Sequence, residues 1–487
     1  MKKIISILLA LTLALSLCTT AWADTKVTTL EELNAALASG ATTITLGDNI
    51  TGKVTILDGK TVTLNLGGKT LTGGIVNKGT LTVTGTGSVN ATTAETAAVA
   101  NFPGGTVTLS GGTYTSAQWY VIKNLGTMLI NGEVSVGKPA NCEDTSSLIA
   151  NGWYGNIDEV AGESVPAAAD RAKLTITSGN FEGKSGTKSC SVIKNDDYGV
   201  LEISGGMFDS TNNIGSSNAA TLLNWNVATI SGGTFKGSYP ISNGAYVNDA
   251  DKGMLTITNG EFIGSEKIFG MGQGGNGKGS VAISGGRFEA PTMGDSFAET
   301  TGGYAVSVTG GTFSNAENVA DFVPNTAVAA VIETQVDANT RVKTSYVGAD
   351  NVIQAAKTAK AGDSLTVYNG TGLKLTGVQT NVVVYLQSTQ QLEINGVVVT
   401  AADANGGYTV PAPTPDPTPT PDPTPDRPNR ADRPVRRYPT NTTTTTEPAK
   451  EDSINSAKTF DAGVALYVGM ALTSVTGMAW VSKKRGR

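Results

Sequence analysis

The chain has 487 residues and a formal net charge of −6, with 60 glycines, three cysteines, 6% aromatics and no histidine. At ~150 residues per domain that length suggests roughly three domains, a rule that internal repeats break. Glycine far above its usual share of about 7%, with charge and aromatics low, fits an all-β repeat protein rich in tight turns and argues against a helical enzyme. The missing histidine rules out Ser-His-Asp and Cys-His catalysis and His-ligated zinc. Between Asp24 and Val410 there are 22 Lys and Arg against 33 Asp and Glu. Phosphates need a positive face, so this balance argues against DNA or RNA as partner. A solvated acidic exterior is the simplest reading of it, with cations admitted.

Lys2 and Lys3, the apolar run Ile4 to Leu17 and the Ala21-Trp22-Ala23 site form a secretory signal, cut between Ala23 and Asp24. Cys18 leaves with it, and Cys142 and Cys190 remain. Export permits a disulfide between them if their Cα atoms lie within about 7 Å, and the sequence leaves bridged and free forms open. Thr29-Leu-Glu-Glu32 is a capping box, with Thr29 as N-cap and Glu32 at N3. It predicts a helix over Leu30 to Ser39, stopped by Gly40, that covers the open end of a solenoid.

From Asp24 to Pro324 the chain repeats. One unit reads Val107-Thr-Leu-Ser-Gly-Gly-Thr-Tyr114, then Leu174-Thr-Ile-Thr-Ser-Gly-Asn-Phe181, then Leu201-Glu-Ile-Ser-Gly-Gly-Met-Phe208. Further copies end at Phe235, Phe262, Phe288 and Phe313, with steps from Phe181 of 27, 27, 27, 26 and 25 residues. A second column reads Ile75-Val-Asn77, Val99-Ala-Asn101, Ile122-Lys-Asn124, Ile149-Ala-Asn151, Ile193-Lys-Asn195 and Ile241-Ser-Asn243. Such units are too short for propeller blades of about 40 residues, and they lack the Leu scaffold of leucine-rich repeats. They suit turns of a parallel β-helix. Alternation puts Leu201 and Ile203 on one face, Gly205 and Gly206 turn a corner, and Phe208 points back inward. Stacking predicts an internal Phe ladder and an Asn ladder, both structural.

Residues 325–410 read as a small β-rich unit that echoes the start of the chain. Asp350 caps a helix through Ala361, Gly362 ends it, and strands follow at Leu365–Tyr368 and Val382–Leu386. Residues 411–455 are a Pro/Thr-rich linker whose alternate prolines favour an extended polyproline II stalk. Its Arg427, Arg430, Arg433, Arg436 and Arg437 suit wall teichoic acids or lipid headgroups, or are simply solvated. Residues 456–487 end in an uncharged stretch, 462–482, long enough at ~20 residues to span a bilayer, and a basic tail that stays inside.

Ser456-Ala457-Lys458-Thr459-Phe460-Asp461, the apolar stretch and the basic tail together resemble the cell-wall sorting signals of Gram-positive bacteria, of the variant kind found in gut Clostridia. Of the usual Leu-Pro-x-Thr-Gly motif only Lys458-Thr459 matches. The resemblance implies sortase cleavage after Thr459, with a retained transmembrane helix as the alternative. The body resembles right-handed parallel β-helix domains on surface proteins of such bacteria, an architecture shared with pectate lyases, polygalacturonases and adhesins. The implied architecture is an all-β, right-handed parallel β-helix over 24–324 with a helical N-terminal cap.

Fold does not fix function. Asp196-Asp197 resembles the adjacent pair of polygalacturonases, without their His or third Asp, and no Arg sits in a pectate lyase motif. The pair could instead hold Ca²⁺, which takes several oxygen ligands; no other cofactor is expected. Tyr154, Tyr198 and Tyr246 each fall three residues after a column Asn, with Trp153 and Trp225 near the same corner. In register they would share one edge as a sugar platform, or else pack beneath the insertions that follow Asn151 and Asn243. The expectation is a non-enzymatic, envelope-anchored surface protein that binds a host or dietary glycan or a protein. A polysaccharide-active enzyme and a structural coat are the alternatives.

Overall fold

The computed structural model describes residues 24–92, 97–117, 119–140, 142–152, 170–185, 188–211, 220–244, 253–270, 279–294 and 305–413. Ala23, Trp153, Tyr154, Tyr246, Thr459 and the apolar stretch 462–482 lie outside them. Among the described residues no helix is long and apolar enough to cross a membrane. Strands dominate, with helix α1 at Leu30–Ser39 and helix α2 at Ala349–Thr358. The chain is all-β with parallel sheets.

The Asn column builds the simpler sheet. Nine short strands, from Val54–Ile56 to Phe269–Gly270, lie side by side in chain order. All are parallel and in register: Asn77, Asn101, Asn124, Asn151, Asn195, Asn224 and Asn243 align. A carboxamide buried among apolar side chains must find partners. Here it finds the next Asn. Each Nδ2 donates to the Oδ1 of the following Asn at 2.7 to 2.8 Å. It also donates to a backbone carbonyl in its own turn, such as Gly79, Gly105 or Gly126. Asn224 belongs to this ladder but breaks the Ile/Val pattern, since Leu222-Leu223 precede it. Asn77 heads the ladder. The preceding strand offers Ile56 at that place, and among the described residues the buried Oδ1 of Asn77 has no hydrogen-bond partner.

The larger sheet holds the Phe column. Thr80–Thr84 and Gly87–Ala91 pair with the two halves of Thr106–Ser116, which bends where the register shifts between Leu109 and Gly111. Later repeats carry a Gly pair at this place, or Asn-Gly or Ser-Gly instead. The two glycines have separate tasks. Gly206 takes φ +106, which a side chain resists, whereas at Gly205 a Cβ would meet the Thr177 carbonyl oxygen at 2.3 Å. Beyond the bend the aromatic turns inward. Phe181, Phe208, Phe235, Phe262, Phe288 and Phe313 are fully buried. Their rings stack with centroids 4.6 to 5.0 Å apart and planes within 12°. That spacing matches the strand separation of about 4.8 Å, so register sets the stack.

The ends differ from the middle. Thr29 caps α1 as expected, its Oγ1 accepting the Glu32 N–H at 3.2 Å. The Oε2 of Glu32 reaches back and accepts the N–H and hydroxyl of Thr28, at 2.7 and 2.9 Å. Leu33 and Ala36 of α1 enter the same core as the repeats. At the other end Ala305–Ser314 pairs antiparallel with Arg341–Val347, which ends the parallel series. The strands beyond surround a second core with Val352, Ala355 and Ala356 of α2. Here the capping expectation is corrected. Gly348 is the N-cap, without a side-chain bond, Asp350 lies in the first turn, and α2 ends at Thr358 before Ala359. Asp350 cannot cap because Gly348, at φ +94, already breaks the strand into the helix.

Asn124→Ala should cost about 2–3 kcal/mol, because it strands the Asn101 donor and the Asn151 acceptor. Asn77→Ala should cost clearly less, since one of its groups is already unpaired. Urea midpoints of the two variants check this, and equal losses would remove the ladder as a source of stability.

Candidate functional site

In the three-residue strands the first and third side chains share the core face, and the middle one points the other way. That middle place is occupied by Val76, Ala100, Lys123, Ala150, Lys194, Leu223 and Ser242 in successive strands. Two of these are charged, and both are buried: Lys123 is 3% and Lys194 8% exposed. Asp196 and Asp197 follow Lys194 directly and are buried as well. A buried charge needs partners. Nζ of Lys194 sits 3.0 Å from Oδ2 of Asp196 as an ion pair. Trp225, just after the next strand, covers the same ammonium, its ring centroid 4.2 Å away. Nζ of Lys123 donates to the Gly152 carbonyl at 2.9 Å and lies 5.3 Å from the Tyr120 ring centroid. The Arg171 guanidinium stands 5.8 Å from the Tyr198 ring centroid.

Burial dominates the electrostatics. It pulls Lys123 down to about 8, with Asp196 opposing the shift and Lys194 adding to it. Burial pushes the Asp196 carboxyl upward, against the charges of Lys194 and Lys123. An ammonium that gives up its proton easily thus lies near a carboxyl that holds one easily. That is the pairing expected of acid–base chemistry, but the groups are closed off from the surface.

The expected site residues divide accordingly. Asp196 and Asp197 are brought together with two lysines that the sequence reading passed over. Their signal was a charge at the middle of Ile-Lys-Asn, where the other strands carry apolar or small residues. The geometry opposes calcium at this pair. Asp196 faces ammonium groups, and among the described residues no group of three or more His, Cys, Asp and Glu is arranged to hold a metal ion. Trp225 corrects the sugar platform, since it is 5% exposed and spends its face on Lys194. Tyr198 is half-buried in a left-handed conformation at φ +61.

Cys142 and Cys190 are buried, unbridged thiols. The Cys142 Sγ donates to the Ala117 carbonyl at 2.6 Å, and burial pushes the Cys190 thiol up to about 12. Lys138 lies beside them, bonded to Asp144 at 2.6 Å and to the Trp119 carbonyl. Burial is the largest influence on Asp144 and pushes it up, but the bond and charge of Lys138 and the hydrogen bonds from Ser146 together outweigh it, and the net shift is downward.

No protein-family model, curated protein or solved structure matches the chain.

Lys123 generates a pH test. Its folded value of about 8 lies below its ordinary 10.5, so between the two the folded chain has released a proton that the unfolded chain keeps. Stability should therefore rise with pH across that window. Lys123→Met should remove most of this rise, so that the unaltered chain gains on the order of 2–3 kcal/mol relative to the variant between pH about 7 and pH about 10. Urea unfolding at both pH values measures the difference.

Proposed function

We propose that the chain is an envelope-anchored surface protein of a Gram-positive bacterium that displays a right-handed parallel β-helix for adhesion, with a host or dietary glycan or a protein as ligand. The observation that carries this reading is the in-register parallel pairing repeated from Val54 to Gly270 in one sheet and alongside it in the other. Each repeat contributes one short segment to the small sheet and a bent pair of segments to the large one, as a coil does. A right-handed winding follows from the strong preference of parallel crossovers for that hand. A stack of this kind holds its surface rigidly over many repeats, which suits display. The signal ending at Ala23, the proline stalk and the sorting signal around Thr459 would supply export, reach and attachment.

A polysaccharide-active enzyme is the second reading, favoured by one observation: Lys123, Lys194 and Asp196 gather beside the small sheet, with Asp197 next in the chain. Their burial opposes it, because a polymer must reach its catalytic groups.

Antibody labelling of intact cells and a glycan array probed with the secreted chain, with and without EDTA, test the first reading. Surface label and saturable binding to a defined glycan set are expected. Label only after lysis would overturn display. Depolymerisation of a polysaccharide, abolished by Asp196→Asn, would favour the enzyme.

A further inference from the structure

A groove of about 270 Å³ opens where residues 319–325 pass the strands Ala329–Gln335 and Arg341–Val347 and the ends of Ser364–Tyr368 and Val383–Gln387. Its wall is apolar, with Val319, Val323, Pro324 and Ala327, and none of its lining residues is charged. Tyr368 stands at the rim, 37% exposed, while Leu365 and Val367 of the same strand are fully buried. Asn369 and Ser388 follow the ends of two paired strands, and both take a left-handed conformation at φ +55. Such a φ is uncommon outside glycine and more so for serine than for asparagine.

The Asn369 side chain is held in place. Its Nδ2 donates to the Asn325 carbonyl at 2.8 Å and the Ala327 carbonyl at 3.0 Å, which ties the passing segment to the strand end. Both N–H groups are thus used, and among the described residues the amide oxygen has no partner. The buried Thr389 hydroxyl accepts the Gly370 N–H at 2.8 Å and fixes the same turn from below. The groove is therefore built before any ligand arrives.

We propose that this groove is a subsite for one neutral sugar residue. The inference rests on the glycan-binding form of the proposed function and gives it a place. An exposed ring beside an apolar wall offers a surface to the C–H face of a sugar, and the Asn369 oxygen and Ser388 hydroxyl offer partners to its hydroxyls. An apolar ligand would leave that amide oxygen unpaired, which costs free energy. A charged ligand would find no counter-charge. The volume lies just below the range of about 300–1,000 Å³ for drug-sized ligands, so one ring fits rather than an oligosaccharide.

Saturation-transfer NMR and titration of the full chain with glucose, galactose, mannose and N-acetylglucosamine, with glucuronate as the charged control, test the proposal. At least one neutral sugar should bind saturably. Tyr368→Ala should weaken it about tenfold or more, and Tyr368→Phe, which keeps the ring, should retain it. Circular dichroism melts confirm that both variants fold. Glucuronate binding better than every neutral sugar would overturn the proposal. So would glycan-array binding that Tyr368→Ala leaves intact, while sparing the adhesin reading. No sugar binding in either assay would end both the subsite and the glycan-binding reading.

Discussion

Everything in this chain depends on one constraint: each repeat must lie on the one before it in register, about 4.8 Å away. At that distance a side chain meets its own counterpart. A Phe stacks on a Phe and an Asn bonds an Asn, so the interaction that stabilises one repeat selects the position of the next. The glycines serve the same constraint. Where the chain bends, a Cβ at Gly205 would strike the Thr177 carbonyl, so the bend must recur at a residue without one.

The constraint also explains how the small sheet tolerates charge. Its core face carries an aliphatic residue and an Asn in seven of the nine strands, so charge enters at the middle residue. Where that residue is Lys123 or Lys194, burial demands compensation, and the turn after Asn195 provides it as Asp196. Such a pair adds little net stability against apolar residues of the same volume, yet losing one partner is costly. The cluster therefore acts as a lock on the local turn.

Much of this was legible in the sequence, and the residues show why. The Phe and Asn columns, the cap at Thr29 and the strand-rich C-terminal unit all follow from local patterns repeated at fixed spacing. Asn224 was missed because Leu222-Leu223 hid the column's Ile or Val. The outcome at Trp225 was not legible either. Proximity to a column Asn locates a side chain along the chain, but only packing shows whether its face is open or covers a lysine. The same holds for Asp196 and Asp197, which look like a metal or catalytic pair until Lys194 is placed beside them. The Tyr368 groove joins segments far apart in sequence and left no local pattern at all.

A double-mutant cycle along the Phe stack tests the in-register account most directly. Alanine substitutions at Phe208 and Phe235, whose rings stack at 4.6 Å, should couple by about 0.5–1.5 kcal/mol in urea unfolding. The pair Phe208 and Phe262, separated by the Phe235 ring, should be additive. Equal coupling in both pairs, or none in either, would contradict a stack in which each repeat rests on its neighbour.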